Sequence, residues 1–508
     1  MFKMGYKNLR SLNMEESLEI KPITTLVGLN SSGKSTFLRA LMLLKQSFDL
    51  NNAAPIIWYN YDNQVDFGSF DEAINNNASE EEIMFSFEFL FSNIISGYSF
   101  EDKREEKIPI KINSTLKKSG GKEYISKVEF EFFGNNFLIS HEKKNTVKVK
   151  INNEIFEEVE KKHWIYPFKL STLIPEIHVG REKLFAEIDE DIFDVEKLGK
   201  LMNKKNSFEI EILGRKKNSK KQEEFLKFFS LIEKILRYEE FAELITKFSK
   251  ITLKKNDTMK YYNLFLAYNL YKINMNISIT LCKIIENVEY ITPLRAMSER
   301  YYRINSNIRK IDPSGRNLAT YISNFSETDM IKLKKWLIEN FQFSIDLKES
   351  TGHNSIKVID ASNNEGANII DTGFGYSQIL PILINLWEIS NKTNKSRQYD
   401  KNLKILLIEQ PELHLHPAFQ AKLTDVIINL VEKTKEKIDF RIIMETHSET
   451  IINRICNQIG KGNLNKEDIS LLIFEKEKIG TVIKEAEFDD EGYLTNWPYG
   501  FFEPEGVK

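Results

Sequence analysis

An eight-residue pattern near the amino terminus constrains this chain more than any other feature. Residues 28–35 read Gly-Leu-Asn-Ser-Ser-Gly-Lys-Ser and match the phosphate-loop pattern G-x-x-x-x-G-K-[ST]. The apolar run 23–27 before it predicts a buried strand, and the apolar residues after Ser35 recur at helical spacing. Such a strand–loop–helix unit surrounds phosphate groups with backbone N–H donors and the amino end of a helix. The context disfavours an ordinary Gly-Ser turn, so we expect nucleotide binding.

The residue types within the loop predict which groups contact the nucleotide. The Lys34 side chain would reach the β- and γ-phosphates, and the Ser35 hydroxyl would ligate Mg²⁺. ATP and Mg²⁺ are therefore the expected cofactors. The predicted nucleotide-binding residues of the loop are Asn30, Ser31, Ser32, Gly33, Lys34, Ser35 and Thr36.

Two further strands in the second half of the chain end in residues suited to the same site. The apolar run 405–408 precedes Glu409, as expected of a Walker B strand, and we predict that Glu409 holds Mg²⁺ through water. A later strand ends in Thr446, His447 and Ser448. His447 would donate a hydrogen bond to the γ-phosphate; the alternative is a capping or core histidine.

Taken together, these segments resemble the ABC-type ATPases of the OLD, RecF and SMC branch. More narrowly, they resemble single-chain ATPases of bacterial anti-phage defence systems, such as the Septu ATPase. The resemblance rests on GLNSSGKST from Gly28, YITPLRAMSERYY from Tyr290, DTGFGYSQILPIL from Asp371, IEQPELHLHP from Ile408 and ETHSE from Glu445, and the C-terminal GYLTNWPYGFFEPEG also looks like the short tail of that group. It implies an α/β fold: an ABC-type ATPase head with a P-loop, an antiparallel β subdomain and a helical insertion.

The resemblance also implies at least a homodimer, in which two heads enclose two nucleotides. A signature loop of one subunit would then cap the γ-phosphate held by the other. Gly375 and Ser377 fit that role by position, with Ser377 where a helix from Gln378 would begin. The alternative is a glycine turn with Ser377 as a plain helix cap.

One residue departs from the family pattern. ABC-type enzymes usually place an acidic general base directly after the Mg²⁺-binding acid, and this chain has Gln410 there. An amide can orient a water but cannot take its proton at neutral pH. We therefore predict catalytic roles for Gln410 and His447 with slow hydrolysis, and Glu412 as a second candidate for the base.

Periodicity suggests three segments. Residues 1–160 would hold the phosphate loop and antiparallel strands, residues 161–289 a mainly helical insertion, and residues 290–508 the signature loop, Walker B strand and His447. Apolar and polar residues alternate from Ile83 to Phe156, whereas residues 223–251 follow a helical period.

Composition excludes several classes of protein. With 71 Lys+Arg against 74 Asp+Glu, the chain has no uniformly basic coat for nucleic acid. A basic cluster from Lys204 to Lys221 could contact DNA or RNA phosphates, but a solvated loop is the default interpretation. Two cysteines are too few for a disulfide scaffold. No signal peptide or transmembrane run is apparent, which predicts a cytoplasmic protein without membrane contact.

The functional hypothesis is a nucleotide-switched sensor and scaffold in anti-phage defence that controls a separate nuclease or toxin. The segment after His447 is shorter than the roughly 100 residues of a fused nuclease domain. The alternative is a RecF- or SMC-like ATPase that clamps DNA, disfavoured by the lack of long coiled coils. A metabolic P-loop kinase is a third possibility.

Weaker signals leave alternatives open. His414 and His416 could form a metal pair, although the resemblance implies that they lie in an interface loop. The acidic run 489–491 followed by Gly492 predicts a hairpin turn. Either Gln64 or Gln46 could serve as the family's glutamine contact to Mg²⁺ or water.

Overall fold

A computed structural model gives the conformation of most of the chain. The residues described are 1–49, 54–59, 65–92, 107–143, 146–152, 154–160, 173–174, 237–248, 254–296, 298–303, 308, 310–350, 352–362, 366–395, 403–478 and 480–497. They form two compact units. The first unit comprises residues 1–7, 47–56 and 80–282, and the second comprises residues 8–46, 57–79 and 283–508. Residues 1–160 contribute to both units, and the three-segment division stays a prediction.

The described residues form 18 strands and ten α-helices. The strands are β1 (Phe2–Lys7), β2 (Leu18–Glu19), β3 (Ile23–Gly28), β4 (Glu82–Ser92), β5 (Lys107–Ser119), β6 (Lys122–Phe132), β7 (Asn135–Lys143), β8 (Thr146–Ile151), β9 (Glu154–Glu160), β10 (Val288–Ile291), β11 (Tyr302–Arg303), β12 (Phe343–Ser350), β13 (His353–Asp360), β14 (Gly366–Asn368), β15 (Leu403–Glu409), β16 (Asp439–Glu445), β17 (Ile469–Lys476) and β18 (Thr481–Ala486). The helices are α1 (Lys34–Asp49), α2 (Phe70–Ala73), α3 (Tyr238–Phe248), α4 (Lys255–Tyr268), α5 (Leu270–Glu286), α6 (Leu318–Ser323), α7 (Glu327–Phe341), α8 (Phe374–Lys395), α9 (Pro417–Thr434) and α10 (Glu449–Gly460). None of these helices is long and apolar enough to cross a membrane.

The first unit is built on an antiparallel meander. Its strands are hydrogen-bonded in the order β1-β4-β5-β6-β7-β8-β9, and each neighbouring pair is antiparallel. In β5, Ile108, Ile110 and Ile112 are buried while the residues between them are exposed, as expected for a sheet with one covered face. The rings of Phe241 in α3 and Phe265 in α4 stack with their centroids 5.2 Å apart. The predicted antiparallel β subdomain is confirmed.

The periodic segment 223–251 is only partly described. Helix α3 confirms the helical prediction for residues 238–248, whereas the remainder of the segment and the basic cluster Lys204–Lys221 lie outside the described residues.

The second unit contains the sheet that carries the site. Its order is β10-β15-β16-β3-β17-β18, and the pairs are parallel except for the antiparallel pair β17–β18. All residues of β3 are buried, which is typical of a parallel strand covered on both faces. Because parallel strands end at one edge of a sheet, Gly28, Glu409 and Glu445 come to the same edge.

Helices α8, α9 and α10 contribute to the core that fixes this sheet. Leu383, Leu423 and Ile455 from these helices belong to one buried cluster with Leu406 of β15 and Ile442 of β16. A smaller antiparallel sheet pairs β12 with β13, and β11 and β14 both pair with β13. The mixed α/β fold class expected from the sequence is confirmed.

Candidate nucleotide site

The phosphate loop joins the end of β3 to the start of α1. Gly28 has a φ of +145°, and a Cβ atom on it would lie 2.3 Å from the backbone oxygen of Phe474 in β17. The Thr481 hydroxyl of β18 donates a hydrogen bond to the Ser32 carbonyl at 2.8 Å. Strands β17 and β18 therefore hold the loop from behind, and only glycine fits at its first position.

The alanine variant of Gly28 tests this close approach. We expect Gly28→Ala to destabilise the protein by about 2–3 kcal/mol, because a strained φ alone costs roughly 1–3 kcal/mol and the contact with Phe474 adds to it. Thermal unfolding would report a lower midpoint. The control is Gly462→Ala, since Gly462 also has a positive φ (+72°) but an added Cβ there would meet nothing within 4 Å. Equal midpoints for the two variants would contradict the proposed contact.

Lys34 lies at the first position of α1 and is 3% exposed. Its ammonium group donates to the carbonyls of Gly28 at 2.9 Å and Leu29 at 2.8 Å. Burial lowers the Lys34 pKa, and the Glu445 carboxylate opposes that shift. Within the same loop, the buried Ser32 hydroxyl has no hydrogen-bond partner. The loop thus offers a buried ammonium group and an unsatisfied hydroxyl, which suits an anionic oxygen ligand.

The carboxylate nearest to Ser35 belongs to Glu445, at the end of β16. The Ser35 hydroxyl donates to Glu445 Oε2 at 2.7 Å, and Lys34 Nζ lies 3.9 Å from Glu445 Oε1. Burial raises the Glu445 pKa, and the nearby Glu409 charge raises it further. No role for Glu445 was predicted from the sequence, although it ends an apolar strand as Glu409 does.

Glu409 has a different set of partners. Arg39 of α1 donates to both carboxylate oxygens, from Nε at 2.6 Å and from Nη2 at 2.5 Å, and the Tyr290 hydroxyl donates to Oε1 at 2.8 Å. The hydrogen bond to Glu409 raises the Arg39 pKa, and burial raises the Tyr290 pKa. The structure therefore brings Glu409 to the same sheet edge as the phosphate loop, but its side chain pairs with Arg39, whereas Ser35 pairs with Glu445.

Gln410 begins the turn that follows β15. Its backbone lies in the left-handed region with a φ of 43°, and its N–H donates to the Glu445 carbonyl at 2.8 Å. Arg295 donates to the carbonyls of Glu409 at 2.9 Å and Gln410 at 3.3 Å. Burial lowers the Arg295 pKa to about 10. The Gln410 backbone is thus fixed from two directions.

Glu412 supports the turn that carries His447. One carboxylate oxygen accepts the His447 N–H at 2.7 Å, and the other accepts the Thr446 hydroxyl at 2.9 Å. Burial raises the Glu412 pKa, while partial burial and the Lys34 charge lower the His447 pKa. The cap of α10 is Ser448, whose hydroxyl accepts the Ile451 N–H at 3.1 Å, so His447 is not the capping residue.

The predicted signature loop differs from expectation at its helix start. Helix α8 begins at Phe374, directly after Gly373 (φ +82°), and not at Gln378. Ser377 therefore lies within the first turn; it is 6% exposed, and its hydroxyl donates to the Phe374 carbonyl at 2.7 Å. The prediction that Ser377 marks the helix start was wrong, because the glycine ends the preceding turn four residues earlier. A Cβ on Gly375 would lie 3.4 Å from the His414 carbonyl, so the loop packs on the turn after β15.

His414 and His416, the candidates for a metal pair, have different roles in the structure. His416 caps α9 by accepting the Ala418 N–H at 3.2 Å, whereas His414 packs against Phe374 with ring centroids 5.9 Å apart. Over the described part of the chain, no group of three or more His, Cys, Asp or Glu side chains could hold a metal ion. The run 489–492 forms the expected turn, with Gly492 N–H donating to the Asp489 carbonyl.

Of the two glutamines that could contact Mg²⁺ or water, only Gln46 lies among the described residues. Gln46 is 3% exposed and donates to the Ile57 carbonyl at 2.6 Å, which gives it a role in tethering that segment. Gln64 lies outside the described residues.

A buried strand, a glycine-edged loop and a helix that starts with Lys34 and Ser35 define the class of protein. Together with the two carboxylates at the same sheet edge, they make this chain a P-loop nucleotide-binding protein.

Comparison with known proteins identifies the family. The family model described as "AAA ATPase domain" matches residues 1–452, and the chain therefore belongs to this family of ATPases. A second model, described as "Protein of unknown function (DUF3696)", matches residues 464–505. No curated protein sequence matches the chain.

Solved structures resemble the chain only distantly. An Smc head domain from Pyrococcus furiosus, bound to the C-terminal domain of ScpA, is 11% identical with a TM-score of 0.34, covering 96% of both chains. The SMC head domain from Thermotoga maritima is 8% identical with a TM-score of 0.33, covering 96% of this chain and 98% of that one. The recombination mediator RecF is 10% identical with a TM-score of 0.27, covering 95% and 97%.

Proposed function

We propose that the protein is an ABC-type ATPase that binds ATP with Mg²⁺, hydrolyses it slowly and acts as a nucleotide-dependent switch. The observation that carries this proposal is the convergence of Lys34, Ser35 and Glu445 at the carboxyl edge of the parallel sheet. Gln410 at the position of the general base supports slow turnover.

Each residue would have a defined task in binding and hydrolysis. Lys34 would exchange its bonds to the loop carbonyls for charge-assisted bonds to phosphate oxygens. Gln410 would orient the attacking water, and His447 would donate a hydrogen bond to the γ-phosphate. The lowered pKa keeps His447 neutral at pH 7, with one ring N–H to donate. Glu412 would fix the turn that carries His447, or serve as the base itself.

The available donors fit Mg²⁺. The Ser35 hydroxyl and a carboxylate are hard oxygen ligands, and Mg²⁺ bound to nucleotides commonly uses only one or two carboxylates beside phosphates and waters. When bound, the ion would neutralise charge on the phosphate oxygens.

We further propose that ATP joins two copies of the chain. In the Asp371–Gln378 segment, at the start of α8, Phe374 is 57% exposed, and Ile370 just before the segment is 45% exposed. Arg300 pairs with Asp371 at 2.6 Å in the same exposed region. Apolar side chains with charged neighbours are typical of a protein contact surface. The loop of one copy would reach the nucleotide of the other.

A charge at this surface tests the dimer. We expect wild-type protein to shift from monomer to dimer on addition of ATP, measured by light scattering after size exclusion. Phe374→Asp should abolish the shift while leaving monomer ATP affinity within about twofold, because it places an unpaired charge in the interface core. The control is Ile331→Asp on α7, at a residue 67% exposed. An unchanged shift in Phe374→Asp would refute the surface.

The cellular role that we propose is a sensor and scaffold in bacterial anti-phage defence, controlling a separate nuclease or toxin. Its support is the likeness of the five motif segments given above. Co-expression with the neighbouring genes, followed by mass measurement with and without ATP, tests it: an ATP-dependent complex with a nuclease or toxin is expected. Strong DNA stimulation of the isolated ATPase, without any such complex, would instead favour the RecF- or SMC-like role.

A further inference from the structure

We infer that Glu445, rather than Glu409, is the protein carboxylate that serves the magnesium of the bound nucleotide. This inference rests on the proposed ATP binding and names the residue that gives it metal dependence.

The order of the strands places Glu445 closer to the phosphate loop than Glu409. Strand β16 pairs directly with β3, with Glu445 in register with Leu26, whereas β15 lies on the side of β16 away from β3, with Glu409 opposite Glu445. Neighbouring strands lie about 4.8 Å apart, so β15 is roughly 10 Å from the strand that feeds the phosphate loop. Glu445 therefore starts one strand closer to Ser35 than Glu409 does.

Glu445 contacts the phosphate loop directly. Its carboxylate meets the Ser35 hydroxyl at 2.7 Å and faces the Lys34 ammonium at 3.9 Å. These are the two side chains that the loop pattern directs at metal and phosphate. Adjacent oxygen ligands of octahedral Mg²⁺ lie roughly 2.9 Å apart, given bonds of 2.0–2.1 Å. The Ser35 and Glu445 oxygens already have nearly that spacing, and Glu445 is only 4% exposed.

The carboxylate of Glu409 already has other partners. Three hydrogen bonds from Arg39 and Tyr290 occupy its carboxylate, and the residue is 1% exposed. A cation would have to displace the Arg39 guanidinium to bind this carboxylate, which would leave the charge of Arg39 without its ion-pair partner. Glu409 is instead a positioning residue. It holds Arg39 and Tyr290 in place, and its carbonyl shares Arg295 with that of Gln410.

Binding of a fluorescent ATP analogue, with and without Mg²⁺, tests the assignment without relying on turnover. In the wild type we expect Mg²⁺ to tighten binding. Glu445→Gln should bind the metal-free analogue at least as well as the wild type, because the substitution removes a negative charge. The increase in affinity that Mg²⁺ produces, called here the Mg²⁺-dependent gain, should be roughly 10- to 100-fold smaller than in the wild type. The isosteric amide can still accept the Ser35 hydrogen bond, so the fold should persist.

Glu409→Gln is the matched control, and it should keep the Mg²⁺-dependent gain. Glu445→Asp provides a second variant of the same site, and its retained charge should preserve part of the gain. Electron paramagnetic resonance of Mn²⁺, added with the analogue, gives an independent readout: the protein-bound signal should disappear in Glu445→Gln and persist in Glu409→Gln.

Opposite outcomes overturn the inference. It is overturned if Glu445→Gln keeps the full Mg²⁺-dependent gain, or if Glu409→Gln loses it. Failure of the wild type to bind the analogue under any condition would overturn the proposed ATP binding itself. A wild type that binds, but gains nothing from Mg²⁺, would overturn only the inference.

Discussion

Replacing Gln410 with glutamate should accelerate ATP hydrolysis by roughly 10²- to 10⁴-fold, the usual contribution of a general base. Gln410 follows β15, which ends at the same sheet edge as β3, and its backbone is held by the Glu445 carbonyl and by Arg295. The glutamate side chain is as long as that of glutamine, and both residues have the same conformational cost at a φ of 43°. The new carboxylate would therefore take the place of the amide and accept the proton of the attacking water. Single-turnover phosphate release measures the effect.

Two variants make this result decisive. Gln410→Ala removes the amide without adding a base, so it should not accelerate hydrolysis. If Gln410→Glu leaves the rate unchanged while ATP affinity is preserved, the base lies elsewhere. Glu412→Gln would then lower the rate, because Glu412 is the other carboxylate beside His447.

Replacing Lys34 with methionine should weaken ATP binding by roughly 10- to 150-fold. A hydrogen bond to a charged group contributes about 1.5–3 kcal/mol, which converts to that factor in the dissociation constant. Methionine fills nearly the same buried volume, so lost affinity would reflect the lost ammonium group. Isothermal titration with ATP and Mg²⁺ measures it.

An exposed lysine provides the control for this variant. Lys332 lies on the outer face of α7, and Lys332→Met should bind ATP as the wild type does. Comparable affinity of Lys34→Met and the wild type would exclude the phosphate loop as the nucleotide site.

Local patterns in the sequence predicted most of the elements. The loop at residues 28–35, the alternating strands from Ile83 and the apolar run before Glu409 each carry their signal in neighbouring residues. The structure places each in a strand or loop of the expected type. The partners of the acidic residues were harder to predict from the sequence, because they depend on which strands become neighbours in the sheet.

Glu409 and Glu445 illustrate this limit. Both end apolar strands, and their neighbours in the sequence do not show which of the two reaches Ser35. Only the order β15-β16-β3 brings Glu445 to Ser35 and leaves Glu409 for Arg39. The start of α8 at Phe374 was missed for a different reason: Gly373 ends the preceding turn, and glycine spacing alone did not show where the helix resumes.

The segment matched by the family of unknown function is a structural part of the nucleotide fold. Strand β17 pairs with β3 along its whole length, and the Thr481 hydroxyl in β18 donates a hydrogen bond to the Ser32 carbonyl in the phosphate loop. Removing this segment would strip one side from the central strand, so a shortened chain ending near residue 460 should not yield an intact ATPase core. Any partner that displaced this hairpin would therefore disturb the phosphate loop directly, through the β17–β3 pairing and the Thr481–Ser32 hydrogen bond.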